Sequence, residues 1–378
     1  MQQNVFITRS ASYLPNGPVP NDRIEDFLGL VGGVKSRAKN IVLRQNGIKT
    51  RYYALNTKQQ MTHTNAEMGK ESITGLFDDD FRLDNLEVLS CATSTPDQLL
   101  PSQASMIHGL LKGNEIELFS HSGVCLTSLQ ALKTAYMCIK AGLNHNAICC
   151  ASELPSAILL SKNFDVEYDV MSKVEEHPMI AFHKDFLRFM LSDGASSVLL
   201  EAEPRGKVSL KIEWIEMTSF AHILPTCMRQ GGILREDGEL TSWKAFTIEK
   251  WAAESIFTIC QDIKVLNKNG IPYFAKQIND SLVKHGVESN GIKYMLPHIS
   301  SMYFKQPLID QLKGTSTPFH EEQLFLNLPQ VGNVGSASIF LALDELMKSG
   351  CLQKGDKILL AVPESGRFSY GTALLSVY

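Results

Sequence analysis

The sequence predicts an α/β fold with buried strands, and three observations support it. Short apolar runs rich in β-formers alternate with longer amphipathic stretches. Those runs are apolar at consecutive positions, as expected of strands covered on both faces. The chain has 378 residues, of which 44% are hydrophobic and 20% charged, enough to bury a large core as one big domain or two fused halves.

The first run of elements reads NLEVLSCAT as a strand, SQASMIHGLLK as a helix, EIELFSHS as a strand, a helix over 127–141, and NAICCASE as a strand. The same rhythm returns near the other end. A helix is expected over 271–285, then the strand IKYMLPH, the helix SASIFLALDELMKSG, and the closing strands KILLAVPE and YGTALLSVY. Two stretches between them, 155–190 and 220–245, are rich in polar residues, Gly and Pro and read as insertions or long loops covering a site. No coiled-coil heptad, low-complexity tract or short-period repeat is present.

Charge narrows the function. The 36 basic and 40 acidic residues give a formal net charge of −4, so a polyanion such as nucleic acid has no electrostatic reason to bind. The opening MQQNVFITRSASYLP lacks a basic segment followed by an apolar run and a cleavage site, and no stretch reaches about 18 uninterrupted apolar residues. A cytoplasmic protein with no membrane partner is expected. The eight cysteines, at 91, 125, 138, 149, 150, 227, 260 and 351, show no CxxC pair and no histidine at ligand spacing. Neither a metal site nor a disulfide framework is expected, and most of these thiols read as small buried hydrophobes.

Cys125 is placed differently. In FSHSGVCLTSLQALKTAYMCIKAG an apolar strand ends at Phe119, small polar residues follow, and helical spacing begins near Thr127. A thiol at a helix entrance meets unpaired N–H groups and a positive dipole end, which favour a thiolate and could hold an oxyanion. From this segment alone, a buried core thiol like Cys138, Cys149 or Cys150 fits somewhat better. Two downstream motifs add to it. LPHIS places His298 where side chains leave a strand's C-terminal edge, and GNVGSAS places Asn333 between glycines just before a helix. A lone histidine or a Gly-Asn turn can be purely structural. A thiol with two side chains able to hold a carbonyl oxygen makes a coherent site for acyl transfer and carbanion chemistry.

The motifs, taken in order, resemble β-ketoacyl-acyl-carrier-protein synthase III and its relatives. SASYLP with NGIKTRYYA resembles the family's opening strand and "TGIRERH" segment, and LSDGASSVLLEA resembles its "FGDGAGAAVL" turn. LPHISSMYF is similar to the "PHQAN" histidine motif and GNVGSASIFLALDEL to the "GNTSAASIPLALDE" asparagine motif. The resemblance implies a thiolase-like five-layered αβαβα fold of two similar halves, 1–205 carrying the nucleophile and 206–378 carrying His298 and Asn333, in a homodimer. It further implies an acyltransferase in which Cys125 takes an acyl group from an acyl carrier protein or coenzyme A thioester. No cofactor is implied beyond the phosphopantetheine that carries the substrates.

Some features depart from the family. Ile299 and Ser300–Ser301 stand where the family has its Gln and Asn after the histidine, Pro363-Glu364-Ser365 replaces a Gly-rich loop, and the tryptophan that stacks on coenzyme A is missing from SRAKNIVLRQNGIKT. Where relatives read "GSD", ASELPS places Glu153 at a strand end. That pattern looks like the ketosynthase/cyclases of dialkylresorcinol and bacterial stilbene biosynthesis, which use a β-ketoacyl thioester without decarboxylation, so Glu153 is expected as a catalytic base. A hydrogen-bonded structural glutamate is the other reading. The alternatives are a fatty-acid initiation synthase using malonyl-carrier protein, and a non-catalytic partner subunit. Lys276 and Lys284 are expected to face the carrier protein.

Overall fold

The computed structural model describes residues 3–172 and 186–378. Nine strands form one mixed sheet: β1 (Phe6–Tyr13), β2 (Val88–Thr93), β3 (Glu117–Ser122), β4 (Asn146–Glu153), β5 (Gly194–Glu201), β6 (Leu210–Ser219), β7 (Tyr294–Pro297), β8 (Lys357–Glu364) and β9 (Ser369–Val377). Their spatial order is β7-β8-β9-β6-β1-β5-β4-β2-β3. Read outward from the β1–β6 joint in either direction, the order repeats: an antiparallel neighbour (β5 or β9), then strands parallel to one another (β4 and β2, or β8 and β7). The joint itself is only two residue pairs long, Phe6 with Lys211 and Ile7 with Leu210. β3 has no full counterpart beside β7; an isolated parallel bridge from Met295 to Leu324 occupies that place.

The main helices are α1 (Asn65–Thr74), α2 (Gln103–Leu111), α3 (Thr127–Lys140), α4 (Ile263–Lys284), α5 (Lys305–Lys313) and α6 (Ser338–Lys348). Alternation along the strands assigns these helices to layers, because successive side chains leave opposite faces. In β4, Ala147, Cys149 and Ala151 pack with α3 and α6, whereas Ile148 and Cys150 pack with α1 and α2. In β8, Ile358, Leu360 and Val362 join the same α3–α6 core, whereas Leu359 and Ala361 join α4 and α5. The result is five layers: α1 and α2, one half-sheet, α3 and α6, the other half-sheet, then α4 and α5. Covering on both faces explains the continuous apolar runs of the sequence. It also explains why the adjacent Cys149 and Cys150 are free: one approaches the Ala131 carbonyl at 3.5 Å, the other the Gly69 carbonyl at 3.7 Å on the opposite face.

Most expected elements form within a residue or two of their expected ends, with two corrections. The helix expected over 271–285 begins eight residues earlier, at Ile263, capped by the Asp262 carboxylate accepting from Val265 N–H at 3.0 Å. Pro272 inside it marks no helix start. The proline removes one donor, and Tyr370 Oη donates to the nearby Gly270 carbonyl at 3.1 Å. The stretch over 220–245 is not an irregular loop. It contains a hairpin pairing Gly232–Leu234 with Leu240–Ser242, beside a cluster of Trp243, Trp251 and Phe257 whose rings lie 5.3–5.6 Å apart. Of the 155–190 stretch, DVEYDV falls in the helix Asp165–Ser172, while KVEEHPM and the start of FHKDFLRFM lie outside the described residues. No described helix is long and apolar enough to cross a membrane.

Candidate active site

Strand ends and helix starts bring the expected residues toward one region. Cys125 lies two residues before α3, in the turn that leaves β3, and is 8% exposed. His298 follows the last residue of β7; its backbone N–H donates to the Ala361 carbonyl of β8 at 2.8 Å, which fixes where the ring leaves the sheet. Both side chains line the same cavity, walled mainly by apolar groups from α4, the loop after His298 and the β8–β9 turn. Phe368 in that turn is fully buried and held at φ 59°, a conformation costly for a bulky residue.

Asn333 does not line this cavity. It is 3% exposed, and its Oδ1 accepts from Gly335 N–H at 3.0 Å, which closes the turn before α6. Its Nδ2 donates to no group among the described residues. The turn abuts the histidine, because His298, Gly332 and Ser338 border one small void. It also bridges to the LSDG segment, where Asn333 N–H donates to the Met190 carbonyl at 3.2 Å and Ser192 N–H to the Asn333 carbonyl at 2.9 Å.

Burial dominates the electrostatics. Desolvation, then the negative charges of Glu153 and Glu364, push the Cys125 thiol well above its usual range. The helix entrance was expected to lower it. The correction follows from magnitudes: a helix end supplies about half a charge, whereas this thiol is dehydrated and faces two carboxylates. Burial lowers the His298 imidazole to about 4, so the ring that shares the cavity with Cys125 is neutral near pH 7.

Glu153 is also placed differently from the expected catalytic base. It is 1% exposed at the end of β4, and five donors surround it. Oε1 accepts from Ser336 N–H at 3.1 Å and Ser336 Oγ at 2.6 Å; Oε2 accepts from Ser94 Oγ at 2.6 Å and Thr95 Oγ1 at 2.8 Å. Ser94 N–H reaches both oxygens at 3.1 Å. No lone pair is left for a substrate proton. Gly335, at φ 52°, makes room for this contact, since a Cβ there would lie 3.0 Å from the carboxylate. Glu153 thus ties the loop after β2 to the Asn333 turn and positions the site.

In the sequence Glu364 stands only as part of the Pro363-Glu364-Ser365 departure. It ends β8 as Glu153 ends β4, and it lines the cavity with Cys125 and His298. Its place at the end of a matching apolar strand was the available signal. The cations Lys276 and Lys284 are exposed and form surface pairs, Lys276 with Asp280 at 2.5 Å and Lys284 with Glu216 at 2.8 Å. Among the described residues no group of three or more His, Cys, Asp or Glu could hold a metal.

Two outcomes follow. Glu153→Gln turns an NH2 toward two donor-only backbone N–H groups and three hydroxyls that now donate to the carboxylate, and is expected to cost about 1–3 kcal/mol of stability. Thermal unfolding reads it; unchanged stability with lost activity would return Glu153 to a proton-transfer role. Cys125 acylation is expected to show no inflection near pH 6.5, because the His298 imidazole stays neutral down to about pH 4. Stopped-time mass spectrometry across pH 5–8 measures this, and a fall in rate centred at the ordinary histidine pKa contradicts it.

Comparison with known proteins places this geometry. The profile for the 3-oxoacyl-[acyl-carrier-protein] synthase III C terminal matches residues 282–377, the part carrying His298 and Asn333. The β-ketoacyl-[acyl-carrier-protein] synthase III of Clostridium beijerinckii is 23% identical, covering 98% of this chain and 99% of its own. The tetronic acid condensing enzyme AbyA1 superposes with a TM-score of 0.77 at 16% identity, covering 98% of this chain and 99% of that one. A variant of Xanthomonas campestris OleA gives 0.75 at 16% identity over 99% and 98%. The two solved structures show the thiolase fold, and the profile and the full-length relative show what the chain is similar to. The chain is a thiolase-fold condensing enzyme similar to β-ketoacyl-acyl-carrier-protein synthase III.

Proposed function

We propose that this enzyme loads an acyl group onto Cys125 from a carrier-protein thioester, condenses it with a β-ketoacyl thioester, and closes a cyclohexanedione ring of the dialkylresorcinol or stilbene-precursor kind. The observation that carries the reading is the shared cavity of Cys125 and His298, whose walls Leu266, Ile271, Phe274, Ile299 and Phe304 suit an aliphatic or aromatic acyl chain. In the first half-reaction the Cys125 proton passes to His298, the thiolate attacks the thioester carbonyl, and the carrier thiol leaves with the proton. In the second, the His298 N–H and the Asn333 Nδ2 hold the carbonyl oxygen of the incoming thioester as its α-carbon becomes nucleophilic.

A second reading has its own support: curated relatives named β-ketoacyl-[acyl-carrier-protein] synthase III cover the chain nearly end to end. Incubation with a β-ketoacyl thioester plus an enoyl thioester, and separately with acetyl-CoA plus malonyl-carrier protein, separates the two. Turnover only in the second pair sinks the cyclase reading. Cys125→Ala is expected to abolish acylation. His298→Ala slows both loading and condensation, while Asn333→Ala spares loading and impairs condensation by about 10²-fold or more. Intact-protein mass spectrometry and product assay read the split, and an Asn333→Ala enzyme that condenses normally contradicts it.

A homodimer belongs to the same proposal. β3 is the last strand of the sheet and leaves one edge unpaired, and the loop after the neighbouring β2 exposes Leu99 (75%) and Leu100 (86%). A second copy of this edge would cover both features around a two-fold axis. Light scattering is expected to give twice the 42.0 kDa chain mass, falling to one chain in a Leu99→Asp/Leu100→Asp variant. A wild-type monomer refutes it.

A further inference from the structure

A condensation without decarboxylation needs a group to remove the α-proton, and Glu153 has no lone pair free for it. We propose that Glu364 is the general base, taking the proton from the α-carbon of the β-ketoacyl donor beside Cys125.

Four observations support this assignment. Glu364 lines the cavity that holds Cys125 and His298. Its turn lies directly against the nucleophile's segment: a Cβ on Gly366 would be 3.2 Å from Val124 Cγ2, next to Cys125. Its carboxylate is held only by main-chain donors, with Gly366 N–H at 2.6 Å on Oε1 and a long 3.3 Å contact from Ser369 N–H on Oε2. Among the described residues no side-chain hydroxyl engages it, in contrast to the three hydroxyls that donate to Glu153. Its outer wall also borders an open cleft with Thr226 and Arg367. Desolvation raises the carboxyl above the ordinary glutamate range, in the direction that suits a base near neutrality.

The segment 220–262 holds this group in place. Cys227 N–H donates to the Gly366 carbonyl at 2.8 Å, Gln261 Nε2 to Ser365 Oγ at 3.0 Å, and Phe220 N–H to the Phe368 carbonyl at 2.9 Å. The stretch that the sequence presents as an insertion is a brace for the Glu364 turn.

The step balances. The Cα–H bond breaks and its proton goes to Glu364 Oε2. The electron pair forms the new carbon–carbon bond to the acyl carbonyl, the carbon–sulfur bond to Cys125 breaks, and the thiolate regains a proton from the base.

This role rests on the β-ketoacyl reading above, and the experiment separates the two. Acyl loading, condensation with a β-ketoacyl thioester, the pH profile and the melting temperature are measured for the wild-type enzyme, Glu364→Gln and Glu364→Asp. Glu364→Gln is expected to load Cys125 normally, melt as the wild type does, and lose about 10²-fold or more in condensation. Its profile loses the acidic limb, while Glu364→Asp retains that limb at reduced rate. A wild-type enzyme that loads acyl but never condenses a β-ketoacyl donor overturns the functional reading and this role with it. A wild-type enzyme that condenses, together with a Glu364→Gln variant within about threefold of it or keeping the acidic limb, overturns Glu364 alone.

Discussion

One buried carboxylate joins the two halves of this enzyme at the place where its chemistry lies. Glu153 ends a strand of the first half and accepts from Ser94 and Thr95 in that half and from Ser336 in the second. An ionised group inside a protein is costly unless hydrogen-bonded, and here the donors come from two segments far apart in sequence, Ser94–Thr95 and Ser336. Removing any one leaves a charge or a hydroxyl without its partner. The Asn333 turn, the start of α6 and the loop after β2 are therefore set relative to one another by a single electrostatic requirement.

The layer of α3 and α6 extends that constraint. Each helix begins at a site residue and runs between the two half-sheets, in a core that includes strand residues from both. Dense packing on two faces prevents a helix from sliding without moving both sheets. The thiol at one helix entrance and the amide at the other are held by the same apolar core, although they lie more than 200 residues apart in sequence. The repeated strand order on either side of the β1–β6 joint brings this about: matching turns of the two halves meet at one region.

That repetition also clarifies the two glutamates. Glu153 and Glu364 occupy matching strand ends, yet one is enclosed by hydroxyls and the other by main-chain N–H groups with one face toward the cavity. The same residue type at the same topological place thus serves as a strut in one half and as an accessible carboxylate in the other. The difference lies in the neighbours, Ser94, Thr95 and Ser336 on one side and the braced Ser365–Phe368 turn on the other.

Much of this was legible in the residues alone. Apolar runs covered on both faces revealed the strands, and the order of the cysteine, histidine and asparagine motifs revealed the likeness to β-ketoacyl-acyl-carrier-protein synthase III, because local period and motif spacing survive without coordinates. The same reading placed Cys125, His298 and Asn333 at turn positions they do occupy. Tertiary structure decided the rest. Pro272 lies inside a long helix because Asp262 caps that helix earlier, and Tyr370 packs against it by donating to the Gly270 carbonyl across about 100 positions. The Cys125 thiol is raised rather than lowered because dehydration and two carboxylates outweigh a helix end. Glu153 lost its expected freedom and Glu364 gained a place in the cavity for one reason: which donors surround a carboxylate is set by segments distant in sequence, and no local pattern records them.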